Sequence, residues 1–554
     1  MIKENYIELY EKSFNENWDL DALTDYFKKE SFTYGQLANE ISRLHILFGE
    51  LGIKKGDRVA LIGRNNPRWC ISYLAAVTYG AVIVPILQEF NANDVHHIIN
   101  HSGSRILFSG DVFWDSLDPN NVEDLQAVFS LTDFECLWAS DRSLRKKCGS
   151  SRITDLFKAK YPKGIERGTV KYDSLSNDSL IIINYTSGTT GFSKGVMLTA
   201  NNICGNVMFG HSINIHFPGS RALAFLPLAH AFGCTFDFLF PLTRGAHVTL
   251  LGKIPSPRIL LDALAEVKPH ILFMVPLLIE KIYKKQILPM LDKKILKFSL
   301  KVPIVDTTIH TIIRNKLVKS FGGELTHVII GGAAINSEVE DFLRLIKFPF
   351  TIGYGMTECA PLISYTDYKE FKSRSCGKIL DGLMEARIDS EDPQNIVGEI
   401  HVRGEHVMQG YYKNPEATDA VLTDGWLNTG DLGTMDEDGT LYIRGRSKSM
   451  ILGASGQNIY PEEIESKLNN LPFVGESLVV ERDGKLVALV YPDSDQCDAK
   501  GVQGAKSIGE RMNENLPVLN SQVAPFERVS KIVLYPTEFE KTPKKSIKRY
   551  LYNV

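Results

Sequence analysis

Leu180-Ile-Ile-Ile-Asn-Tyr185 runs directly into Thr186-Ser187-Gly188-Thr189-Thr190-Gly191-Phe192-Ser193-Lys194-Gly195. The first part is an apolar run of strand length. The second is a glycine- and hydroxyl-rich loop that ends on a lysine. Backbone N–H groups in such a loop can cradle phosphate oxygens, the hydroxyls add donors, and Lys194 adds a mobile positive charge. It is not a Walker A loop, because Ser193 stands where the second glycine of G-x-x-x-x-G-K-[ST] would fall. A plain flexible turn explains a short glycine and serine cluster. It does not explain this ordered decapeptide placed immediately after a buried strand.

Outward from that point, the first 330 residues or so alternate helical patterns with short Val- and Ile-rich runs. Strands are expected at Arg58–Ile62, Ala81–Ile86, Arg105–Ser109, Ala222–Leu226, His247–Leu251, His270–Val275 and His327–Ile330. That alternation predicts βαβ units and doubly wound, mostly parallel sheets. After Phe371 the texture changes to short alternating stretches, Glu385–Asp389, Gly398–Arg403 and Thr440–Arg444, among turn signals such as Asp438-Gly439. These predict a small barrel-like antiparallel unit. The last hundred residues carry a helix at Pro461–Asn470 and strands near Ser477–Glu481 and Lys485–Tyr491. The expected fold class is therefore α/β: a large N-terminal domain (1–446) of doubly wound subdomains plus the barrel-like unit, then a small mobile α+β C-terminal domain (447–554).

Composition fits a folded globular chain. Of 554 residues, 44% are hydrophobic and 23% charged, and 62 basic residues face 66 acidic ones for a net charge of -4. No global field draws nucleic acid or an anionic surface, and no basic stripe with interleaved aromatics appears. Eight cysteines lie scattered without C-x-x-C spacing, which points to reduced thiols and a cytoplasmic setting. The N-terminal residues carry acids and no apolar stretch, unlike a signal peptide. Ile71 to Leu87 is largely apolar but includes Ser72, Thr78, Gly80 and Pro85. It reads as a buried helix, a Gly80 stop and a buried strand rather than a membrane span. His96, His97 and His101 tempt a metal reading, yet their Asn and Ser neighbours suggest a plain polar helix face.

With those residues in view, the chain resembles the adenylate-forming superfamily, which includes acyl-CoA synthetases, luciferases and peptide-synthetase adenylation domains. TSGTTGFSKG looks like its phosphate loop. LPLAHAFG (226–233), GGAA (331–334), GYGMTECAPL (353–362), GWLNTGD (425–431), GRSK (445–448) and NIYPEEI (458–464) follow in that family's order. The block at 353–362 and the block from Asp424 to Ile451 look especially like bacterial long-chain acyl-CoA synthetases. The resemblance implies ATP, Mg²⁺ and coenzyme A as cofactors and substrates, and a fatty acid as the acid.

It also implies roles. Thr186, Ser187, Gly188, Thr189, Thr190, Gly191 and Lys194 would hold the β- and γ-phosphates. Thr357 would contact the α-phosphate or the acyl adenylate, and Glu358 would help to hold Mg²⁺, a hard cation that prefers carboxylate oxygen. Asp431 would accept hydrogen bonds from both ribose hydroxyls; taken singly, an Asp after Gly is a turn residue. Gly332, Ala333, Tyr354 and Gly355 would border the adenine and acyl pocket. His230 would stand beside the carboxylate and acyl channel as a gate, although a lone His among apolar residues is more often a core residue. Arg446 would touch phosphate, Lys448 would be the pivot of a moving C-terminal domain, and Ser455 and Gly456 would line the pantetheine tunnel.

One departure stands out. The family setting T-P-x-x-K-[IL]-x-R, laid over Thr542-Pro543 and Ile547-Lys548-Arg549, places Ser546 where the family carries a lysine that reaches the α-phosphate. Either a bulge presents Lys545, or another lysine (Lys544, Lys548) substitutes, or adenylation is slow; Lys545 is the expected substitute. Three alternatives remain for the activity: a medium-chain or aryl acid ligase, an acyl-acyl-carrier-protein ligase, and a non-catalytic acyl or nucleotide binder. No membrane anchor is visible, although a fatty acid partitions into bilayers and peripheral contact stays open.

Overall fold

Asn66 caps a helix over Pro67–Tyr79 by accepting from the Trp69 N–H, with Pro67 in the first turn where its missing N–H costs nothing. Gly80 ends that helix at φ 86°, a left-handed conformation that suits glycine. The chain then enters a strand, Val82–Ile86, whose five residues are all buried. Two-sided burial is what a strand inside a parallel sheet requires, and this helix–glycine–strand unit is repeated in kind through the first half of the protein. The computed structural model describes residues 2–186, 193–252, 255–287, 303–452, 457–542 and 546–552.

Among the described residues two large sheets dominate. The eight-stranded sheet has the order Gly410–Tyr411, Lys194–Thr199, Leu180–Thr186, Val82–Ile86, Arg58–Ile62, Ser104–Ser109, Ala127–Ser130 and Cys136–Ala139. The seven-stranded sheet has the order Phe350–Ile352, His327–Ile330, Ile271–Met274, Arg221–Ala224, His247–Leu250, Asp21–Asp25 and Ser31–Thr33. Their central pairings are parallel. A five-stranded antiparallel sheet follows, with Met384–Asp389, Gly398–Gly404, Trp426–Met435 and Leu422–Thr423 in line and Leu441–Arg446 paired to Trp426–Met435. The fold is the expected α/β architecture.

Buried apolar residues from Tyr6 to Leu441 form one continuous cluster. From Ile459 onward they form two others. Val479, Ala488 and Val490 belong to one of these, and Leu478, Val480 and Leu489 to the other. Successive strand residues point to opposite faces, so the three-stranded sheet Val474–Arg482, Lys485–Pro492 and Val529–Leu534 is packed on both sides. No helix among the described residues is long and apolar enough to cross a membrane.

A tight approach holds the segment that carries the site. Strand Tyr354–Gly355 pairs with Leu362–Tyr365 through an irregular register, and a Cβ on Gly355 would lie 2.1 Å from the Pro361 carbonyl oxygen. Backbone, not a flexible side chain, occupies that space. We therefore expect Gly355→Ala to cost roughly 2–4 kcal/mol of stability in denaturant titration. Gly509→Ala, in the helix Ala505–Gln522 with nothing within 4 Å, should be neutral or gain up to about 1 kcal/mol. Equal stability of Gly355→Ala and the parent would refute this account of the turn.

Candidate active site

Asp431 is brought into the interior by local chemistry. Asn428 Oδ1 accepts the Gly430 N–H at 2.8 Å, and Thr429 Oγ1 accepts the Asp431 N–H at 3.1 Å while donating to the Ile400 carbonyl at 2.8 Å. Gly430 takes φ 70° at the bend. The carboxylate, with Asp431 only 6% exposed, accepts the Tyr354 hydroxyl at 2.6 Å on Oδ2 and meets Arg446 Nε at 3.1 Å on Oδ1. Asp431 and Arg446 are also cross-strand partners. Burial raises the Asp431 carboxyl above its ordinary value, and Arg446 and Tyr354 pull it part of the way back. Burial, then the neighbouring Asp431, holds the Tyr354 hydroxyl well above its usual value.

A second cluster lies at the end of the eight-stranded sheet. Thr186 and Lys194 are register partners closing a hairpin; Ser187, Gly188, Thr189, Thr190 and Gly191 lie outside the described residues. Lys194 Nζ sits 4.8 Å from the centre of the Tyr411 ring, and the Tyr411 hydroxyl donates to Glu358 Oε1 at 3.0 Å. Glu358 is further fixed because its carbonyl accepts the Met408 N–H at 2.8 Å. Thr357, 8% exposed, opens the short 3-10 turn Thr357–Cys359. Glu358 is also close enough to Asp431 to act on its ionisation. The structure thus brings Lys194, Thr357, Glu358, Tyr354 and Asp431 into one neighbourhood.

The adenine-side and acyl-side candidates flank it. The Gly331 N–H donates to the Met274 carbonyl, and the Gly353 N–H to the Ile330 carbonyl. A Cβ on Gly331 would stand 3.2 Å from the Phe232 ring and 3.5 Å from the Gly353 carbonyl oxygen. Gly332, at φ 87°, and Ala333 are exposed beside this contact. His230 precedes the turn Ala231–Gly233, which leads into a π-helix at Cys234–Leu239. π-Helical turns recur at functional sites. Phe232, Phe236 and Phe273 form an aromatic group there, with Phe236 stacked on Phe273 at 5.5 Å.

Further along, Lys448 is exposed on the 3-10 turn Ser447–Ser449. Ser455, Gly456 and Lys545 lie outside the described residues. The residues around Lys545 are held inside the C-terminal unit: Lys541 pairs with Glu476, Lys548 with Glu540 at 3.5 Å, and Arg549 with Glu465 and Glu462. The histidine helix departs from the expected plain polar face. His96 is buried and its Nε2 accepts the Asp118 N–H at 3.0 Å. His101 Nδ1 meets the Tyr185 hydroxyl at 2.7 Å, and His97 stacks on His101 at 5.4 Å. Among the described residues no group of three or more His, Cys, Asp or Glu side chains could hold a metal. Tyr411 was not legible as a site residue, since it sits in a two-residue strand with no motif around it.

The AMP-binding enzyme family model matches residues 10–412, and the chain belongs to that family. Among its relatives, the long-chain-fatty-acid–CoA ligase FadD15 of Mycobacterium bovis is 27% identical over 559 residues, covering 93% of this chain and 89% of that protein. A feruloyl-CoA synthase from an Amycolatopsis species is 28% identical over 458 residues, covering 81% of this chain and 80% of its own length. The crystal structure of the anthranilate CoA ligase AuaEII in complex with anthranoyl-AMP superposes with a TM-score of 0.76 over 99% of this chain and 96% of that one, at 19% identity. That last likeness is one of fold.

The Asp431 cluster makes a pH-dependent expectation. A carboxyl whose folded pKa is raised favours the folded state at low pH, and that contribution is lost as pH rises through the raised value. Arg446 limits the rise, so Arg446→Met should raise it further. The side chain of Arg446 is 70% exposed, so the expected loss is about 0.5–1 kcal/mol near pH 8 and shrinks toward nothing as pH falls through the raised value and the carboxyl takes up its proton. Denaturant titration across that range checks it, and a pH-independent loss would count against the pairing.

Proposed function

We propose that this AMP-binding enzyme is an acid–CoA ligase working through an acyl adenylate. A carboxylate attacks the α-phosphate of ATP and pyrophosphate leaves. The CoA thiol then attacks the acyl carbon of the mixed anhydride, giving acyl-CoA and AMP. The observation that carries this reading is the convergence of the buried Asp431–Tyr354 pair with Glu358, Tyr411 and Lys194 in a member of that family.

The residues present suit the steps. Asp431 accepts hydrogen bonds, which matches a ribose diol. Lys194 at the hairpin base suits an anionic leaving group, and Thr186 opens the same loop. Preorganised donors and cations aimed at developing charge are the largest contributor to such reactions. Glu358 is the carboxylate that would help to hold Mg²⁺; that ion keeps most of its waters and takes only one or two carboxylates plus phosphate oxygens, so no protein cage is needed. When bound, it would neutralise charge on the phosphates. Thr357 would steady the adenylate, and Gly332, Ala333, Tyr354 and Gly355 would border the base. Arg446 and Lys448 would serve phosphate contact and pivoting between a 1–446 domain and a 447–554 domain, with Ser455 and Gly456 along the pantetheine path. His230 need not act as a base, because a fatty acid with a pKa of about 4.3 is already ionised at pH 7.

For the acid we favour a long-chain fatty acid, as in the Mycobacterium bovis relative. An aryl acid is the second reading, favoured by the Phe232, Phe236 and Phe273 group beside Gly331 and by the feruloyl-CoA synthase relative. AMP formation over a panel of acids, with and without CoA, separates them. Each buried CH₂ contributes about 0.8 kcal/mol, so kcat/KM should climb roughly fourfold per methylene up to the channel floor if the substrate is a fatty acid. A preference for ferulate over oleate would overturn the first choice. ATP–pyrophosphate exchange assigns the lysine: Lys545→Ala should lose about a hundredfold or more, while Lys544→Ala and Lys548→Ala stay within about threefold. Equal rates in all three variants would sink Lys545, and no exchange by the parent with any acid would sink the reading as a whole.

A further inference from the structure

At the edge of the eight-stranded sheet remote from the phosphate hairpin, two thiols meet. Cys136 opens the edge strand Cys136–Ala139, and Cys148 closes the helix Arg142–Lys147 that follows it. Asp141 starts that helix by accepting the Leu144 N–H at 2.9 Å, and the Cys148 N–H donates back to the Leu144 carbonyl at 2.9 Å. Just outside this loop, Ser150 Oγ donates to Glu135 Oε1 at 2.6 Å. The loop is thus closed at its base by a hydrogen bond between residues 135 and 150. Within it the Cys148 thiol donates to the Cys136 sulfur. Both residues are buried, Cys136 with 8% of its surface exposed and Cys148 with 2%.

The two sulfurs have different surroundings. Arg145 Nη1 donates to Cys136 Sγ at 3.6 Å, and the protonated Cys136 thiol has the Trp138 carbonyl at 3.3 Å as its acceptor. A cation and a thiol donor on one sulfur favour its thiolate. The Cys148 hydrogen bond first, and Arg145 after it, bring the Cys136 thiol down to about 7 against the opposing effect of burial. Cys148 is pushed the other way by the same hydrogen bond and by burial. Burial also pushes up Cys70, Cys204, Cys234, Cys359, Cys376 and Cys497. All eight cysteines are free thiols, and Cys136 is the one whose surroundings favour the anion. Buried thiols kept only for packing are inert; a guanidinium directed at one sulfur and a second thiol touching it are what set this pair apart.

We propose that Cys136 and Cys148 form a reversible, peroxide-reactive dithiol site, with Cys136 as the attacking thiolate and Cys148 as the resolving thiol. The Cys136 thiolate attacks one oxygen of hydrogen peroxide, the O–O bond breaks, and the departing hydroxide takes up a proton to become water. Cys136 is then a sulfenic acid. The Cys148 sulfur attacks it, the thiol proton goes to the leaving hydroxyl, an S–S bond forms and a second water departs. The two thiols lose two electrons and the peroxide gains them. With the loop closed at its base, the sulfurs need only move from contact to a bonding distance of about 2.05 Å. Their cover is one short helix on which Arg142, Arg145, Lys146 and Lys147 are exposed, and such elements open locally at small cost, which suffices for a molecule as small as peroxide. The inference does not rest on the ligase reading, since no residue is shared.

A small excess of hydrogen peroxide added to the full chain tests it, followed by alkylation of the remaining thiols in denaturant and digestion without reductant. We expect one cross-linked peptide joining Cys136 to Cys148, returned to two alkylatable thiols by dithiothreitol, with every other cysteine alkylated as in the untreated chain. In Cys148→Ser the reaction should stop at a Cys136 sulfenic acid that dimedone traps. Removing the Arg145 charge lets the Cys136 thiol rise toward its ordinary value and leaves less thiolate at neutral pH. Arg145→Gln should therefore slow the loss of the Cys136 thiol about three- to tenfold at pH 7, and the difference should close above about pH 9, where the thiol is ionised in both chains. A merely structural arginine would change the rate alike at both pH values. An unchanged thermal transition establishes that Arg145→Gln folds, and the peptide map of the parent needs no variant. Alkylation of Cys136 and Cys148 unaffected by peroxide, a cross-link joining a different pair, or equal rates for Arg145→Gln and the parent at pH 7 would overturn the proposal.

Discussion

The carboxylate of Asp431 is where three separate pieces of chain are made to agree. It sits on strand Trp426–Met435, takes a hydrogen bond from Tyr354 on strand Tyr354–Gly355, and pairs with Arg446 at the end of strand Leu441–Arg446. A buried carboxylate is costly unless it is paired and hydrogen-bonded, so displacement of any one of these strands leaves it less well satisfied. The same residue that would face a nucleotide thus also ties the small antiparallel sheet begun by Tyr354–Gly355 to the five-stranded antiparallel unit. Two of its partners differ sharply in character. Tyr354 donates from an enclosed position, and Arg446 reaches in from a largely exposed one.

That asymmetry extends to the C-terminal unit. Gly445 lies against Tyr460 and Glu462, where a Cβ would come within 3.2 Å of Glu462 Oε2. Arg444 meets Glu463 at 3.7 Å. Ser447, the next residue after Arg446, donates to Glu399 at 2.9 Å. Elsewhere Lys284 donates to the Asn469 carbonyl at 2.8 Å, and Asn336 meets Asn470. Apart from Gly445 against the Tyr460 ring, these contacts between the two parts of the chain are polar, while each part keeps its own apolar cluster. An interface of that kind holds an orientation at small energetic expense, since exposed ion pairs contribute little.

Strands with two-sided burial were legible in the sequence. Val82–Ile86 and His327–Ile330 carry near-continuous apolar residues because both faces are covered, and such runs stand out in composition. Not legible were Asp21–Asp25 and Ser31–Thr33, where acids and hydroxyls interrupt the apolar Ala22, Leu23 and Phe32; the first joins the seven-stranded sheet by pairing with His247–Leu250, and the second pairs with the first. Pairing with segments distant in the chain, not composition, makes them strands. At the site, Asp431, Glu358 and Lys194 were legible from motifs. Tyr411 was not, because its link to Glu358 spans 53 positions and depends on a two-residue strand pairing with Val196. The histidine helix failed for the opposite reason. Asn and Ser neighbours suggested solvent, but His96 and His101 each meet a partner supplied by a distant segment.

Under the proposed adenylating activity, the two partners of Asp431 would play unequal parts when a ribose arrives. A diol needs acceptor capacity on the carboxylate, and each oxygen can accept more than one hydrogen bond. Tyr354 is enclosed and would remain, orienting the carboxylate as a fixed support. Arg446, mostly in water, is held chiefly by its pair and loses little by swinging toward a phosphate. Its movement would carry Ser447 and Lys448 with it, since they follow in one short turn. Nucleotide occupancy and the position of the C-terminal unit would then be coupled through a single guanidinium. Such coupling requires that the ligand interact differently with the two arrangements, and the competition for Asp431 Oδ1 supplies that difference.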